Sequence, residues 1–276
     1  VKAELDKEDA TIGHVRITSF AKNTAEELEK AVKDLTEKGA KSFVFDVRYN
    51  PGGLLDQAYK VANMFLKDGE PIVQVEDRFG EKKIYKASSS IGEFKITQPY
   101  VLLVNEGSAS ASEILAAAIK EGAGGQIVGT KTYGKGTVQS VVDITDNSEL
   151  KYTNAKWLTP KGNWIHKEGV TPTKEVNLPD YAFLKIIDAR ETLKVGTVSQ
   201  NVLSVETILK GLGYSVTADG YFDEATKEAV KAYQQKEGLT ATGEVDEETA
   251  QKLMNSVREL IQQNDTQYQA AKELLK

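Results

Sequence analysis

The amino-acid sequence predicts an α/β domain followed by a small helical domain. Short apolar runs typical of buried strands alternate with amphipathic helical segments up to about residue 176. Beyond Asn177 the pattern becomes helical and contains an internal repeat. We therefore expect an α/β core at residues 1–178, a connector at 179–196, a three-helix domain at 197–254 and a C-terminal helix at 255–276.

The composition is that of a globular protein with a sizeable core. The chain has 276 residues, of which 40% are hydrophobic and 28% charged. A formal net charge of −6 argues against nucleic acid as a general partner. The chain has no cysteine, and its two histidines, His14 and His166, lack the spacing of a zinc site. We therefore expect neither a metal nor another cofactor.

The first strand and helix are predicted from their periodicities. Residues 10–20 alternate between apolar and polar side chains, which is typical of a strand. Residues 23–39 carry an apolar helical face, with Thr24 and Glu27 spaced as a capping box and Gly39 as the stop. Further strands are predicted at 41–50, 70–76, 82–87, 99–105, 125–130, 137–144 and 150–159, and further helices at 54–66 and 108–122.

One segment approaches a nucleotide-binding loop, because Gly129, Gly134 and Lys135 match the pattern G-x-x-x-x-G-K. Such a loop needs Ser or Thr directly after the lysine to hold Mg²⁺, and it must open a helix. Here Gly136 follows the lysine, and the β-branched segment from Thr137 predicts a strand. The sequence therefore gives Lys135 another role.

Serines at positions 108, 110 and 112 precede a helix of small residues. Free N–H groups and the dipole at a helix N-terminus can stabilise an oxyanion. Serine is also a good N-cap, so any one of the three could serve only that purpose. The Asn-Pro-Gly-Gly turn at residues 50–53 supplies a second set of N–H groups, or else only an ordinary connection from strand to helix.

These segments resemble the signatures of the carboxy-terminal processing proteases, also called tail-specific proteases. The similar stretches are DVRYNPGG at 46–53, NEGSASASEILAAA at 105–118 and GTKTYGKGTVQ at 129–139. The resemblance covers roughly residues 10–176 and implies an α/β core of the crotonase and Clp-protease type. It implies a serine endopeptidase that processes the C-terminal regions of extracytoplasmic proteins, bound in extended form.

The resemblance also implies the roles of individual residues. These are Ser110 as nucleophile, Lys135 as general base, Gln139 as the residue that orients the lysine, and the backbone N–H groups of Ala111 and of the pair Gly52 and Gly53 as the oxyanion hole.

This chemistry is consistent with the residues present. A serine needs a base to remove its proton, and serine–lysine pairs are a known variant of the catalytic triad. In a strand, Lys135 and Gln139 lie on one face, so the amide can bind the amine without adding a charge. His166 with Asp46 or Asp143 is the alternative triad, but its turn-rich surroundings favour a structural histidine.

The helical domain contains a repeat, GYFDEATKEAV at 220–230 and GEVDEETAQKL at 243–253, in which each Asp is placed as an N-cap. Residues 197–254 resemble the peptidoglycan-binding domain of bacterial cell-wall proteins. Such a module either binds peptidoglycan or serves as a packing and dimer-forming element. The stretch after it is either a terminal helix packed on this domain or a contact in a homodimer.

Members of the resembling family carry a PDZ domain before the core, and no PDZ signature is visible here. The chain begins with Val1 rather than Met. We therefore expect a PDZ domain and a membrane anchor upstream, absent from this chain, and a location outside the cytoplasm at the cell surface. A non-catalytic cell-wall-binding or scaffold protein with an inert core is the alternative.

Overall fold

The computed structural model describes residues 1–145 and 148–276 and divides the chain into two compact units. Unit 1 contains Val1–Asn177 together with Gln267–Lys276, and unit 2 contains Leu178–Thr266. The core is therefore built from two separate segments of the chain, which the sequence did not predict.

The strands are β1 (Lys2–Leu5), β2 (Ile12–Arg16), β3 (Ser42–Asp46), β4 (Pro71–Asp77), β5 (Lys82–Lys86), β6 (Tyr100–Val104), β7 (Gln126–Gly129), β8 (Thr137–Thr145), β9 (Ser148–Leu158) and β10 (Lys174–Glu175). The α-helices are α1 (Thr24–Glu37), α2 (Leu55–Asn63), α3 (Ala111–Ala117), α4 (Gln200–Gly211), α5 (Glu224–Lys236), α6 (Glu247–Gln263) and α7 (Thr266–Glu273).

The main sheet of unit 1 has six strands in the order β1-β2-β3-β6-β7-β10. All neighbouring strands are parallel except β1, which is antiparallel to β2. In β3, Phe43 and Phe45 pack towards one apolar cluster and Val44 towards another on the opposite face. Both faces are thus buried, which explains why this strand is a continuous apolar run.

A second, antiparallel sheet has the order β5-β4-β9-β8. The predicted pairing of β4 with β5 is confirmed, and β8 pairs with β9 along an antiparallel ladder. Because β8 lies at the edge of this sheet, one of its sides has no strand partner among the described residues.

Three details of unit 1 differ from the sequence prediction. The capping box at Thr24 is wrong, because the Thr24 hydroxyl accepts from the amide of Ala21 and donates to Ser19 O. The helix predicted at 108–122 is shorter as an α-helix and continues as a π-helical turn at Ala118–Ala123. Strands β1 and β10 were not predicted.

Unit 2 is helical, and its internal repeat has a physical counterpart. Asp223 and Asp246 cap α5 and α6, as predicted, by accepting hydrogen bonds from the amides of Thr226 and Thr249. Two buried side chains hold the preceding turns: Glu206 accepts from the amide of Gly220 at 2.8 Å, and Gln234 accepts from that of Gly243 at 2.9 Å. Each repeat therefore combines a capped helix with a turn held from inside the unit.

The segment expected as one C-terminal helix is two helices. Asn264, at φ −118° and ψ 45°, ends α6, and α7 starts anew at Thr266. Helix α7 belongs almost entirely to unit 1 and not to the helical unit, and its Ala270 and Ala271 join the apolar cluster on one face of the main sheet. Small side chains allow this close approach.

Candidate active site

The first part of the site is the turn that follows β3. Tyr49 has φ 57°, Gly52 101° and Gly53 148°. Asn50 is fully buried and holds the turn from inside, because its Oδ1 accepts from the amide of Gly52 at 2.9 Å and its Nδ2 donates to Ile17 O at 2.8 Å. A Cβ on Gly52 would lie 2.9 Å from the Cβ of Ser110, so the turn needs glycine here to approach the serine segment.

The three serines before α3 have different surroundings. The Ser108 hydroxyl donates to Val47 O at 2.8 Å, and the Ser112 hydroxyl donates to Asn50 O at 2.9 Å. Both side chains are fully buried. Ser110 is half-buried and lines a cavity. The structure thus assigns anchoring roles to the outer two serines and leaves the middle one facing open space.

Ser110 adopts an unusual backbone conformation at the N-terminus of α3, with φ 55° and ψ −111°. Positive φ is uncommon for residues other than glycine and recurs at functional sites. The amide of Ser110 donates to Glu113 Oε2 at 2.9 Å, which fixes this turn.

Glu113 joins the serine segment to the lysine segment. This fully buried carboxylate also accepts from the backbone amides of Gly134 at 2.6 Å and Lys135 at 2.8 Å, and from the Thr132 hydroxyl at 2.6 Å. The indole of Trp157 donates to Lys135 O at 2.8 Å. The lysine peptide is therefore held on its N–H side by Glu113 and on its C=O side by Trp157.

A cavity of about 190 Å³ brings the predicted residues together. Its lining includes Gly53, Ser110, Ala111, Lys135 and Gln139, together with Lys151 and the apolar side chains of Leu55, Ile114, Val138 and Trp157. Among the described residues, no hydrogen bond joins the side chains of Ser110, Lys135 and Gln139. These side chains thus surround one space without bonding to one another.

The two glycines of the turn differ in what their amides do. The N–H of Gly52 is engaged by Asn50 Oδ1. Gly53 lines the cavity with Ala111, and its N–H makes no hydrogen bond among the described residues. Of the predicted pair, only Gly53 therefore has a backbone donor available at the cavity.

Behind the turn, Asp46 and Arg48 form a buried pair. Arg48 Nη2 donates to Asp46 Oδ2 at 2.8 Å, and Arg48 Nε donates to Asp46 Oδ1 at 3.0 Å. Burial raises the pKa of Asp46, but the contact with His14, the hydrogen bonds from Arg48 and the guanidinium charge outweigh burial and hold this pKa well below its usual range. Asp46 is therefore a charged structural anchor.

Neither histidine forms part of the cavity lining. His166 stacks on Trp164 with ring centroids 5.2 Å apart, and His14 lies 3.5 Å from Asp46. Asp143 is exposed on β8. The alternative triad is therefore not assembled. The nucleotide-binding interpretation fails as expected, because a strand rather than a helix begins at Thr137.

Sequence reasoning missed Glu113, Asn50 and Trp157. A signal existed for the first, because Glu113 is an acid within the otherwise small and apolar run that follows the serines. Asn50 and Trp157 gave no such signal, since they act through contacts with distant segments.

Comparison with known proteins defines the family. Peptidase family S41 matches residues 11–176, more than half of the chain. The chain belongs to peptidase family S41. A putative peptidoglycan binding domain matches residues 198–253 of this S41 chain.

Named relatives extend over nearly the whole S41 chain. The chain is 44% identical to the carboxy-terminal processing protease CtpA of Bacillus subtilis (strain 168) over 98% of its own length and 58% of that protein. It is 39% identical to CtpB of the same organism, over 95% of its length and 54% of that protein. The chain thus spans little more than half of these relatives.

A solved structure, the photosystem II D1 C-terminal processing protease, is 39% identical with a TM-score of 0.54, covering 60% of this chain and 42% of that one. The fold is shared by a putative peptidase from Parabacteroides merdae, which is 19% identical. The TM-score is 0.53, and the match covers 64% of this chain and 57% of that one. These matches confirm the predicted fold class and family. Within residues 1–145 and 148–276, no helix has both the length and the apolar character that crossing a membrane requires.

Proposed function

We propose that this chain is the catalytic part of a serine endopeptidase that processes the C-terminal regions of other proteins. The observation that carries the proposal is that Ser110, at the strained start of α3, and Lys135 line one cavity while Glu113 holds both backbones. The names of the relatives support the reaction class, and the comparisons favour a peptidase over a non-catalytic scaffold.

In the proposed mechanism, the neutral amine of Lys135 takes the proton of the Ser110 hydroxyl while Oγ attacks the carbonyl carbon of the scissile peptide bond. The backbone N–H groups of Gly53 and Ala111 bind the resulting oxyanion. The protonated lysine then gives its proton to the leaving amine, and an acyl-enzyme remains on Ser110. Water, deprotonated by Lys135, hydrolyses this ester and restores the serine. Gln139 orients the lysine.

The proposed substrate is an extended segment of a protein. The cavity lies beside the start of β8, an edge strand whose open side can pair with a peptide. Extended pairing uses backbone hydrogen bonds, so many sequences can bind this way. The apolar side chains of Leu55, Ile114 and Val138 in the lining favour an apolar residue next to the scissile bond.

The experiment is cleavage of unfolded casein from pH 6 to 10 by the chain and by Ser110→Ala and Lys135→Ala. We expect cleavage by the unmodified chain, a rate that rises with pH because lysine is a base only when neutral, and no cleavage by either variant. Lys131→Ala, at an exposed lysine that does not line the cavity, and His166→Ala are matched controls that keep activity. Full activity of Lys135→Ala would refute the mechanism.

The second proposed role is binding of peptidoglycan by residues 198–253, supported by the domain match. It implies action outside the cytoplasm, at the cell wall. Sedimentation of the full chain with purified sacculi tests this role, and a chain that stays wholly in the supernatant contradicts it. A homodimer remains a prediction, which analytical ultracentrifugation tests.

A further inference from the structure

Gln267, in the first turn of α7, makes two hydrogen bonds in opposite directions. Its Oε1 accepts from Arg48 Nη1 at 3.0 Å, and its Nε2 donates to Val176 O at 2.8 Å. The side chain is 1% exposed. A buried amide that uses both of its polar groups in this way fixes the relative position of its two partners.

Arg48 connects this contact to the turn at 49–53, which carries Gly53. Its amide donates to Asp46 Oδ1 at 2.9 Å, and its guanidinium binds the same carboxylate. The next residue, Tyr49, has φ 57°, and its amide donates to Asn105 Oδ1 at 2.8 Å. Asn50 then accepts from Ala109 N at 3.0 Å through its carbonyl. Arg48 therefore directly precedes the turn at 49–53, whose backbone is bonded in turn to Asn105 and Ala109.

The chain path gives Gln267 a special place. The chain leaves unit 1 after Asn177 and returns at Gln267, so unit 2 lies between these two points in sequence. The bond from Gln267 to Val176 O joins the departing segment to the returning one. A single side chain thus links both segments to Arg48.

We propose that Gln267 is a positioning residue for the turn at 49–53, and that it couples the two segments leading to and from the helical unit to that turn. The inference rests on the proposed peptidase function. A force on either segment changes the placement of the Gly53 amide and therefore the stabilisation of the oxyanion. Transition-state stabilisation changes, whereas substrate binding along β8 does not.

The kinetic test compares Gln267→Met with Gln269→Met, a matched change at an exposed position of the same helix. With fluorescein-labelled casein, we expect Gln267→Met to lower kcat about tenfold with KM within about twofold, and Gln269→Met to change neither. Gln267→Glu keeps an acceptor for Arg48 but loses the donor to Val176 O, so we expect a smaller loss of kcat than in Gln267→Met, about threefold. Equal loss in both Gln267 variants would contradict coupling through Arg48.

A double-mutant cycle with Arg48→Lys separates positioning from general packing. If Gln267 acts through Arg48, Gln267→Met has little further effect on kcat in the Arg48→Lys chain. Fully additive effects overturn the inference. Gln267→Asn, which keeps the amide but shortens the side chain, takes the place of Gln267→Met if the latter does not fold.

Hydrogen exchange gives a readout that does not depend on activity. In Gln267→Met we expect the hydrogen-bonded amides of residues 47–50 and of Gly52 to exchange about tenfold faster, while those of α1 stay unchanged. Unchanged exchange of these amides refutes the positioning role whether or not casein is cleaved. A wild-type chain that never cleaves casein refutes the proposed function alone, so the two failures are distinguishable.

Discussion

The carboxylate of Glu113 lies 2.8 Å from the backbone nitrogen of Lys135. Helix α3, which begins next to the proposed nucleophile, therefore also places the proposed base. This hydrogen bond involves the backbone amide and not the side-chain amine of Lys135, and no ion pair joins Glu113 to that amine among the described residues. Glu113 thus fixes the backbone positions of the two residues that we propose as nucleophile and base.

Replacement of Glu113 tests this link. Both carboxylate oxygens of Glu113 accept hydrogen bonds, and Glu113→Gln replaces one of these oxygens by an NH₂ group that cannot accept them. We therefore expect the free energy of unfolding to fall by about 2–4 kcal/mol and kcat to fall more than tenfold. Denaturant unfolding and casein kinetics measure the two effects. Glu106→Gln, at an exposed acid in the same connection, should change neither. Wild-type kcat in Glu113→Gln would show that the link is dispensable.

The three serines should separate by phenotype. Ser110→Ala should abolish cleavage and leave the melting temperature nearly unchanged. Ser108→Ala and Ser112→Ala each remove a hydrogen bond from a buried hydroxyl to a backbone carbonyl, so we expect a loss of about 1–2 kcal/mol in stability with cleavage retained. Calorimetry and casein cleavage check this division, and loss of cleavage in Ser112→Ala alone would reassign the nucleophile.

Gly52 should not tolerate a larger residue, because a side chain there would clash with neighbouring atoms. A Cβ there would lie 2.8 Å from Ala109 O and 2.9 Å from Ser110 Cβ, so Gly52→Ala should displace the turn and abolish cleavage. Gly39→Ala is the matched control, because Gly39 has a similar φ of 105° and open space around it. We expect a cost of about 1 kcal/mol there, with activity intact. An active Gly52→Ala chain would show that the turn tolerates displacement.

The two indoles near the lysine should contribute unequally. Trp157 is 1% exposed and donates to Lys135 O, whereas Trp164 is 49% exposed and donates to Gly136 O. We expect Trp157→Phe to lower kcat about tenfold, because Lys135 O loses its hydrogen-bond donor. We expect Trp164→Phe to lower kcat by less than about threefold. Steady-state kinetics distinguish the two, and equal effects would argue against a special role for Trp157.

The lowered pKa of Asp46 predicts how the free energy of unfolding depends on pH. Because the pKa of Asp46 is lower in the folded protein than the usual value of about 3.9, its contribution is fully present above that value. This contribution is lost as the pH falls from about 4 towards the folded pKa. Denaturant unfolding between pH 2 and 7 should show this acid loss in the wild type.

Asp46→Asn supplies the comparison. It should lower the free energy of unfolding by about 3–5 kcal/mol at neutral pH, since buried Arg48 loses its carboxylate counter-ion. It should also weaken the pH dependence of stability below about pH 4. Asp143→Asn, at an exposed aspartate, is the control and should leave both unchanged. An acid dependence identical in Asp46→Asn and wild type would show that other carboxylates cause it.

The elements that could be predicted from the sequence are those marked by a local pattern, such as an apolar run or a capping residue. Strands β3 and β6 were predicted because burial on both faces makes them continuous apolar runs, and α5 and α6 because each starts at a capping Asp. Strand β10 has two residues, too few for any periodicity. Helix α7 is short, and its place on the sheet depends on residues far away in sequence.

The same limit applied to the site. Ser110, Lys135 and Gln139 came from motifs, and the structure places all three around one cavity. Which glycine has a free amide could not be predicted, because Asn50 decides it by folding its side chain back onto Gly52. Asn50, Glu113 and Trp157 act through contacts between segments, and such contacts leave no periodic pattern.

Because unit 1 consists of two chain segments, its C-terminal segment is synthesised only after the whole of unit 2. During translation, the sheet face that includes Val44 and Leu103 has no helix over it until the helical unit has emerged and α7 follows. Gln267 reaches Arg48 only at that stage. A nascent chain that already carries Ser110 and Lys135 therefore still lacks both the helix that covers this sheet face and the contact between Gln267 and Arg48.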